Sequence, residues 1–230
     1  MTKPWILALP AFWLVSSVVL ADQTPEATAC VYLINTSSAQ KPEQHTTTPW
    51  YFWRSDHRVE TRNAHGESGE VWELNARGQI FYTKLFHPAG KAIDYTPGDL
   101  SALALNTDWN QIRSIIDPKL LGTHLKRSGE QTVDNQRVER YAGTVDGVST
   151  EVLWLPEMKL PVRIDKIQGG VAVSLRLAEC KPLASAPWVM TSDAQMQSYK
   201  HLDYADLGDK ENDPFVKSVI SHNEGSHHGH

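Results

Sequence analysis

The chain's most distinctive chemistry lies at its C-terminal end. His227, His228 and His230 fall within four residues, with His222 and Glu224 close by. Neutral imidazole nitrogens suit Zn²⁺, Cu²⁺ and Ni²⁺, and a short peptide can gather several of them around one ion. Such a site is expected to exchange its metal, because the peptide must first be ordered at an entropic cost. A second group is acidic: Asp203, Asp206, Asp209, Glu211 and Asp213. Asp209, Glu211 and Asp213 have the spacing of the first three alternate ligands of an EF-hand loop. The glycine position is Pro214, however, and the twelfth position is Ile220 rather than glutamate, which excludes that motif. The run reads as a solvated acidic linker.

Catalytic signatures are missing from the sequence. It contains no G-x-S-x-G elbow, no H-E-x-x-H helix, no Walker loop and no G-x-G-x-x-G turn. The expectation is a binding protein rather than an enzyme. His57, His65 and His87 are scattered through the strand-rich half and read as surface or packing histidines. Tryptophan is the most frequent aromatic residue, with 8 against 7 tyrosines and 5 phenylalanines. Trp53, Trp72, Trp109 and Trp154 are candidates for lining an apolar ligand cavity, with plain core packing as the alternative.

The N-terminal residues bear on the compartment. Lys3 precedes an apolar run from Trp5 to Leu20, interrupted by Pro10 and closing on Val19-Leu20-Ala21. This is the pattern of a cleavable secretory signal over residues 1–21, cut before Asp22. The run is too short and too broken for a membrane span. Cys30 lacks the preceding leucine and the adjoining apolar run of a lipoprotein signal, so lipidation is rejected. Cleavage removes Lys3 and no acid, so the net charge moves from −5 to −6. A domain of that charge has no electrostatic reason to hold nucleic acid or an anionic membrane. In an oxidising compartment the two cysteines, Cys30 and Cys180, most simply pair with each other; two free thiols are the alternative. The remaining length suits one domain with a real core.

The elements that must position these residues are mostly strands. Cys30 opens a strand at Val31–Ile34, and residues 22–29 and 35–48 read as polar loops. Strands follow around Trp50–Trp53, His57–Arg62, Gly69–Leu74, Gln79–Phe86 and Gly90–Tyr95, separated by turn residues. Thr96-Pro97-Gly98-Asp99 then starts a helix whose apolar stripe is Leu100, Leu103, Ala104 and Leu105. A second helix runs from Asp108, with Trp109, Ile112, Ile115 and Ile116 on its buried side, and ends before Pro118. Strands resume at Val138–Val145, turn at Asp146-Gly147, and continue through Val148–Leu155, Val162–Ile167 and Val171–Cys180. The result is an α+β domain: a large curved antiparallel sheet, a half-open barrel, with two short central helices on one face. Residues 181–230 form an irregular acidic and histidine-rich extension with one short helix from Asp213 through Ile220.

This order of elements resembles the LolA/LolB superfamily of periplasmic lipoprotein carriers. The likeness covers roughly residues 30–180. It is carried by Arg137–Gly143, then Glu151-Val152-Leu153-Trp154-Leu155-Pro156-Glu157, then Leu160-Pro161-Val162-Arg163-Ile164, a hairpin that ends in a proline-marked turn and returns as a strand. The resemblance implies a half-barrel lidded by helices and a non-enzymatic carrier or chaperone. An apolar ligand or a lipidated partner protein would occupy the barrel; no family binding residue has a counterpart motif here. The second functional reading is a periplasmic metal-handling protein that takes Zn or Cu on His222, His227, His228 and His230 and serves an envelope transporter.

Overall fold

The computed structural model describes residues 27–38, 40–105 and 107–219. Residues 1–26, with the expected signal peptide, and 220–230, with His222, His227, His228 and His230, lie outside the described residues.

Two meanders make one open, twelve-stranded sheet. The first is β1 (Thr28–Ser38), β2 (Lys41–Arg54), β3 (Arg58–Asn63), β4 (Ser68–Leu74), β5 (Ile80–Phe86) and β6 (Lys91–Tyr95). The second is β7 (Leu125–Val133), β8 (Gln136–Val145), β9 (Val148–Leu155), β10 (Leu160–Gln168) and β11 (Val171–Pro182). A last short strand, β12 (Lys200–Asp203), adds to the edge of the first meander. Antiparallel pairing of β1 with β11 joins the two meanders, so the order across the sheet is β12-β6-β5-β4-β3-β2-β1-β11-β10-β9-β8-β7. The first strand is therefore central. Three of the four hairpins of the second meander share one turn geometry. Asp146 and Gly147 have φ of 50° and 78°, Gly169 and Gly170 57° and 80°, and Asp134 and Asn135 49° and 62°. Positive φ at both central residues matches the twist of the flanking strands.

Cys30 and Cys180 face each other across the β1–β11 seam and form a disulfide, as expected. The bond sits mid-sheet, where it fastens one meander to the other. A disulfide fits folding in an oxidising compartment. Among the described residues no helix is long and apolar enough to cross a membrane.

Several boundaries differ from expectation. Residues 35–38 and 41–48 belong to the strands of the long β1–β2 hairpin, with Thr36 opposite Thr46 and Ile34 opposite Thr48. Threonine is β-branched and favours strand, which outweighs its polarity here. β7 is an additional strand, in a stretch to which the sequence reading assigns no element. Only Leu125 of it is fully buried, as suits a charged edge strand.

The helices begin where expected. α1 (Pro97–Ala102) carries a capping box in which the Thr96 side chain accepts from the Asp99 amide and Asp99 accepts from the Thr96 amide. α2 (Trp109–Ser114) is capped by Asp108. α1 is too short for the expected stripe: Leu100 is buried, whereas Leu103 and Leu105 lie beyond its end and are each 40% exposed. Both helices cover the same face of the sheet. Leu100, Trp109 and Ile112 pack there on Trp72, Tyr82, Phe52 and Val59. This covered face carries a continuous apolar core that ends under Trp154, Val152 and Ile164 of the second meander.

The chain beyond Cys180 departs from the expected irregular extension. α3 (Asp193–Gln197) packs Met196 against Val71, Leu85 and Ala92 on the opposite face. β12 pairs in parallel with β6. Residues 214–219 are helical, and Leu202, Leu207, Val216 and Val219 join the core of the covered face. Apolar residues spaced among the acids are enough to bind the segment in.

A charged clasp holds β12. His201 bonds Asp94 through Nδ1 at 2.7 Å and the Met196 carbonyl through Nε2 at 2.9 Å. Burial opposes the imidazolium, but the Met196 carbonyl and the Asp94 carboxylate outweigh it and raise the pKa. A raised value means the added stability is fully present below about pH 6.5 and is lost as pH rises through the folded-state value. His201→Gln should therefore lower the thermal midpoint more at about pH 5.5 than at about pH 8.5. An equal deficit at both would show that the clasp does not titrate.

Candidate functional site

Alternation along β2 decides which aromatics meet the helices. Trp50, Phe52 and Arg54 point to the covered face; Tyr51 and Trp53 point away. β3 and β4 present Val59, Thr61 and Trp72 beside them. α2 crosses above with Gln111, Ile112 and Ile115, and Leu105 of the link between the helices closes one side. The nine residues enclose a groove of about 360 Å³. Seven of them are apolar, and Thr61 and Gln111 are the polar exceptions.

The aromatic wall is held from behind. Trp72 stacks on Tyr82 with ring centroids 4.3 Å apart, and Tyr82 continues to Tyr95 at 4.9 Å. Trp50 stacks on Phe52 at 6.0 Å and meets the edge of Tyr32 at 5.9 Å. Burial pushes the Tyr32 phenol far above its usual range, with the Arg54 charge pulling back, and the neutral hydroxyl donates to the Pro161 carbonyl at 3.0 Å. These rings are pre-positioned rather than free to collapse inward.

One wall residue is strained. Ile115 ends α2 with φ 67° and ψ −33°. A β-branched residue at positive φ is a true outlier, costing on the order of 1–3 kcal/mol, and such strain gathers at binding sites and moving segments. Because Ile115 turns the chain there, α2 ends over the groove.

The four tryptophans expected to line a cavity do not share one site. Trp72 lines the groove. Trp109 packs beside it in the core, with its indole nitrogen buried and unpartnered among the described residues. Trp154 lies away from them, with Ile116, Leu125, Val152 and Ile164. Trp53 is on the opposite face, where it donates to the Trp188 carbonyl at 3.0 Å under the Arg62 guanidinium. The expectation missed Trp50, Phe52, Val59, Ile112 and Ile115 as wall residues. The parity of Trp50 and Phe52 against Tyr51 and Trp53 was the available signal.

The acidic run is divided among local contacts. Asp206 pairs with Lys210 at 3.2 Å, and Asp213 with Lys91 at 3.7 Å. No group of three or more histidine, cysteine or acidic side chains able to hold a metal comes together among the described residues. His87 meets the Tyr199 hydroxyl at 2.8 Å and serves packing.

No family model matches the chain, and no curated protein matches it. Solved structures do align with it. An uncharacterized conserved protein from Thermus thermophilus aligns over 78% of this chain and 91% of its own, at 12% identity and a TM-score of 0.44. MucB in its complex with MucA(peri) aligns over 77% of this chain and 56% of its own, at 11% identity and a TM-score of 0.37. The LolA superfamily protein NE2245 from Nitrosomonas europaea aligns over 68% and 86%, at 10% identity and a TM-score of 0.32.

Proposed function

We propose that the protein is a non-enzymatic carrier or chaperone of the exported space, holding an apolar ligand in the groove between β2–β4 and α2. The observation that carries this reading is the groove itself: an apolar volume of about 360 Å³ with rigid aromatic walls, a helix across it and Leu105 at its side. That volume falls at the small end of the roughly 300–1,000 Å³ of small-molecule sites, so an acyl chain or the lipid of a lipidated protein is a suitable occupant. Leu103 and Leu105, exposed on the link between the helices, are placed to move with the entry of a chain.

Thr61 is the position from which the groove can be filled without disturbing the core. Thr61→Trp should weaken binding of a neutral fluorescent apolar probe such as 1-aminoanthracene by about tenfold, roughly 1.4 kcal/mol, with little change in thermal midpoint. Native mass spectrometry of the wild-type protein should show a co-purified lipid that the variant lacks. Equal probe binding by the two proteins would refute the groove as the site.

A further inference from the structure

Arg54 ends β2 on the covered face and is 1% exposed. Its Nη1 donates to the Arg113 carbonyl at 3.0 Å and its Nη2 to the Met158 carbonyl at 2.9 Å, while Nε has no partner among the described residues. A guanidinium has five N–H donors, so more than half of its donor capacity is unused. The charge beside it is a second cation, Arg113, whose own acid, Asp56, stands 3.9 Å off and is largely exposed. Burial first, and then Arg113, bring the Arg54 pKa down to about 10. A buried charge opposed by a like charge and answered only by carbonyls is energetically expensive. Proteins ordinarily keep such a group only when something pairs with it.

Arg54 also lines a cavity of about 550 Å³ that shares no residue with the apolar groove. Met158, Val162, Leu177 and Ala178 supply an apolar side, and Val133, Asp134 and Gln136 at the β7–β8 turn complete the lining. The acids around it do not answer Arg54. Glu179 pairs with Lys181 at 2.9 Å, and Asp134 and Glu157 stand exposed at the rim. Arg54 is the one buried charge among the residues that line the cavity.

We propose that this cavity is an oxyanion site, in which an anionic amphiphile sets a carboxylate or phosphate on the Arg54 guanidinium and lays its alkyl chain on Met158, Val162 and Leu177. The charge-assisted contact supplies orientation, because a guanidinium fork matches two oxygens of either head group. The apolar side supplies contact area for the chain.

Calorimetric titration with octyl phosphate, octanoate, 1-octanol and inorganic phosphate tests this directly. Octyl phosphate and octanoate should each bind at least about tenfold more tightly than 1-octanol. Arg54→Lys should keep most of that difference, and Arg54→Met should remove it while circular dichroism shows the fold intact. Because Arg54 also ties two carbonyls, a second variant is needed should Arg54→Met not fold. Ala178→Trp, at an exposed position in the cavity wall, should weaken octyl phosphate binding about tenfold, while Thr61→Trp in the separate groove leaves it unchanged. Equal affinity for octyl phosphate and 1-octanol, or unaltered binding in Ala178→Trp, would overturn the site. Inorganic phosphate binding as tightly as octyl phosphate would overturn the amphiphile as its ligand.

Discussion

Replacing Cys30 and Cys180 together by alanine should lower the thermal midpoint by about 10–20 °C. The bond closes a loop with a sequence separation of 150. On the chain-entropy model such a closure restricts the unfolded state by about 5 kcal/mol, and in a domain of this size each kcal/mol moves the midpoint by roughly 2–4 °C. The effect is large because of where the bond lies. It crosses the β1–β11 seam, the one strand pairing that joins the two meanders, so the cross-link limits how far they separate when the sheet opens. Alanine is chosen at both positions so that no thiol or buried hydroxyl is left at Cys30, which is fully buried. A scan in reducing buffer should reproduce the shift without mutation. A change under about 3 °C would show that β-pairing and the core hold the seam without the bond.

The second large effect is expected at Glu60. Its carboxylate is fully buried and accepts from Arg58 at 3.0 Å, from Arg62 at 2.7 Å, and from the amide and hydroxyl of Thr191. Arg58 reaches on to the Thr191 carbonyl and to Asp193, so one carboxylate fastens the segment leading into α3 onto the sheet. Removing one partner of a buried, hydrogen-bonded charge cluster costs about 3–5 kcal/mol, because the remaining charges are left without an answer. Glu60→Gln should therefore lower the stability measured by urea unfolding by that amount. Thr191→Val, which removes only a hydroxyl, should cost less, about 1–2 kcal/mol. Hydrogen exchange in Glu60→Gln should quicken first at residues 191–203. A loss under about 1 kcal/mol would mean that the cluster is dispensable.

Much of the sheet was readable because its turns were. Asp146-Gly147 and Gly169-Gly170 mark their hairpins in the sequence, and the structure gives all four residues positive φ. Asp134-Asn135 makes the same turn without a glycine, so nothing in the sequence marks β7 as strongly. Both residues tolerate the left-handed region, but they are also common in ordinary loops. The helix starts were equally local: Thr96 and Asp108 cap where their side chains allow.

The site was only partly legible. Tryptophan content pointed to an aromatic cavity, yet Trp53 and Phe52 are adjacent and so face opposite ways. Local pattern gives that parity but not which face the helices cover, which depends on where α1 and α2 return to the sheet. Arg54 and Glu60 look alike in sequence, as charged residues within strands. Among the described residues Glu60 is answered by two arginines and a threonine, Arg54 by carbonyls alone, and the partners that decide this include residues 59, 104 and 131 positions away.

The central place of β1 has a consequence in time. β2 can pair with it as soon as the first hairpin is made, but β11 arrives only after β3 to β10 have been synthesised. At roughly 5–20 residues per second, that wait is on the order of ten seconds or longer. For that interval Val31-Tyr32-Leu33-Ile34 presents an unpaired row of amides and carbonyls, an open template for another chain. The strand at the middle of the finished sheet is, during its making, the edge, and it stays open to pairing there until the last long strand is in place.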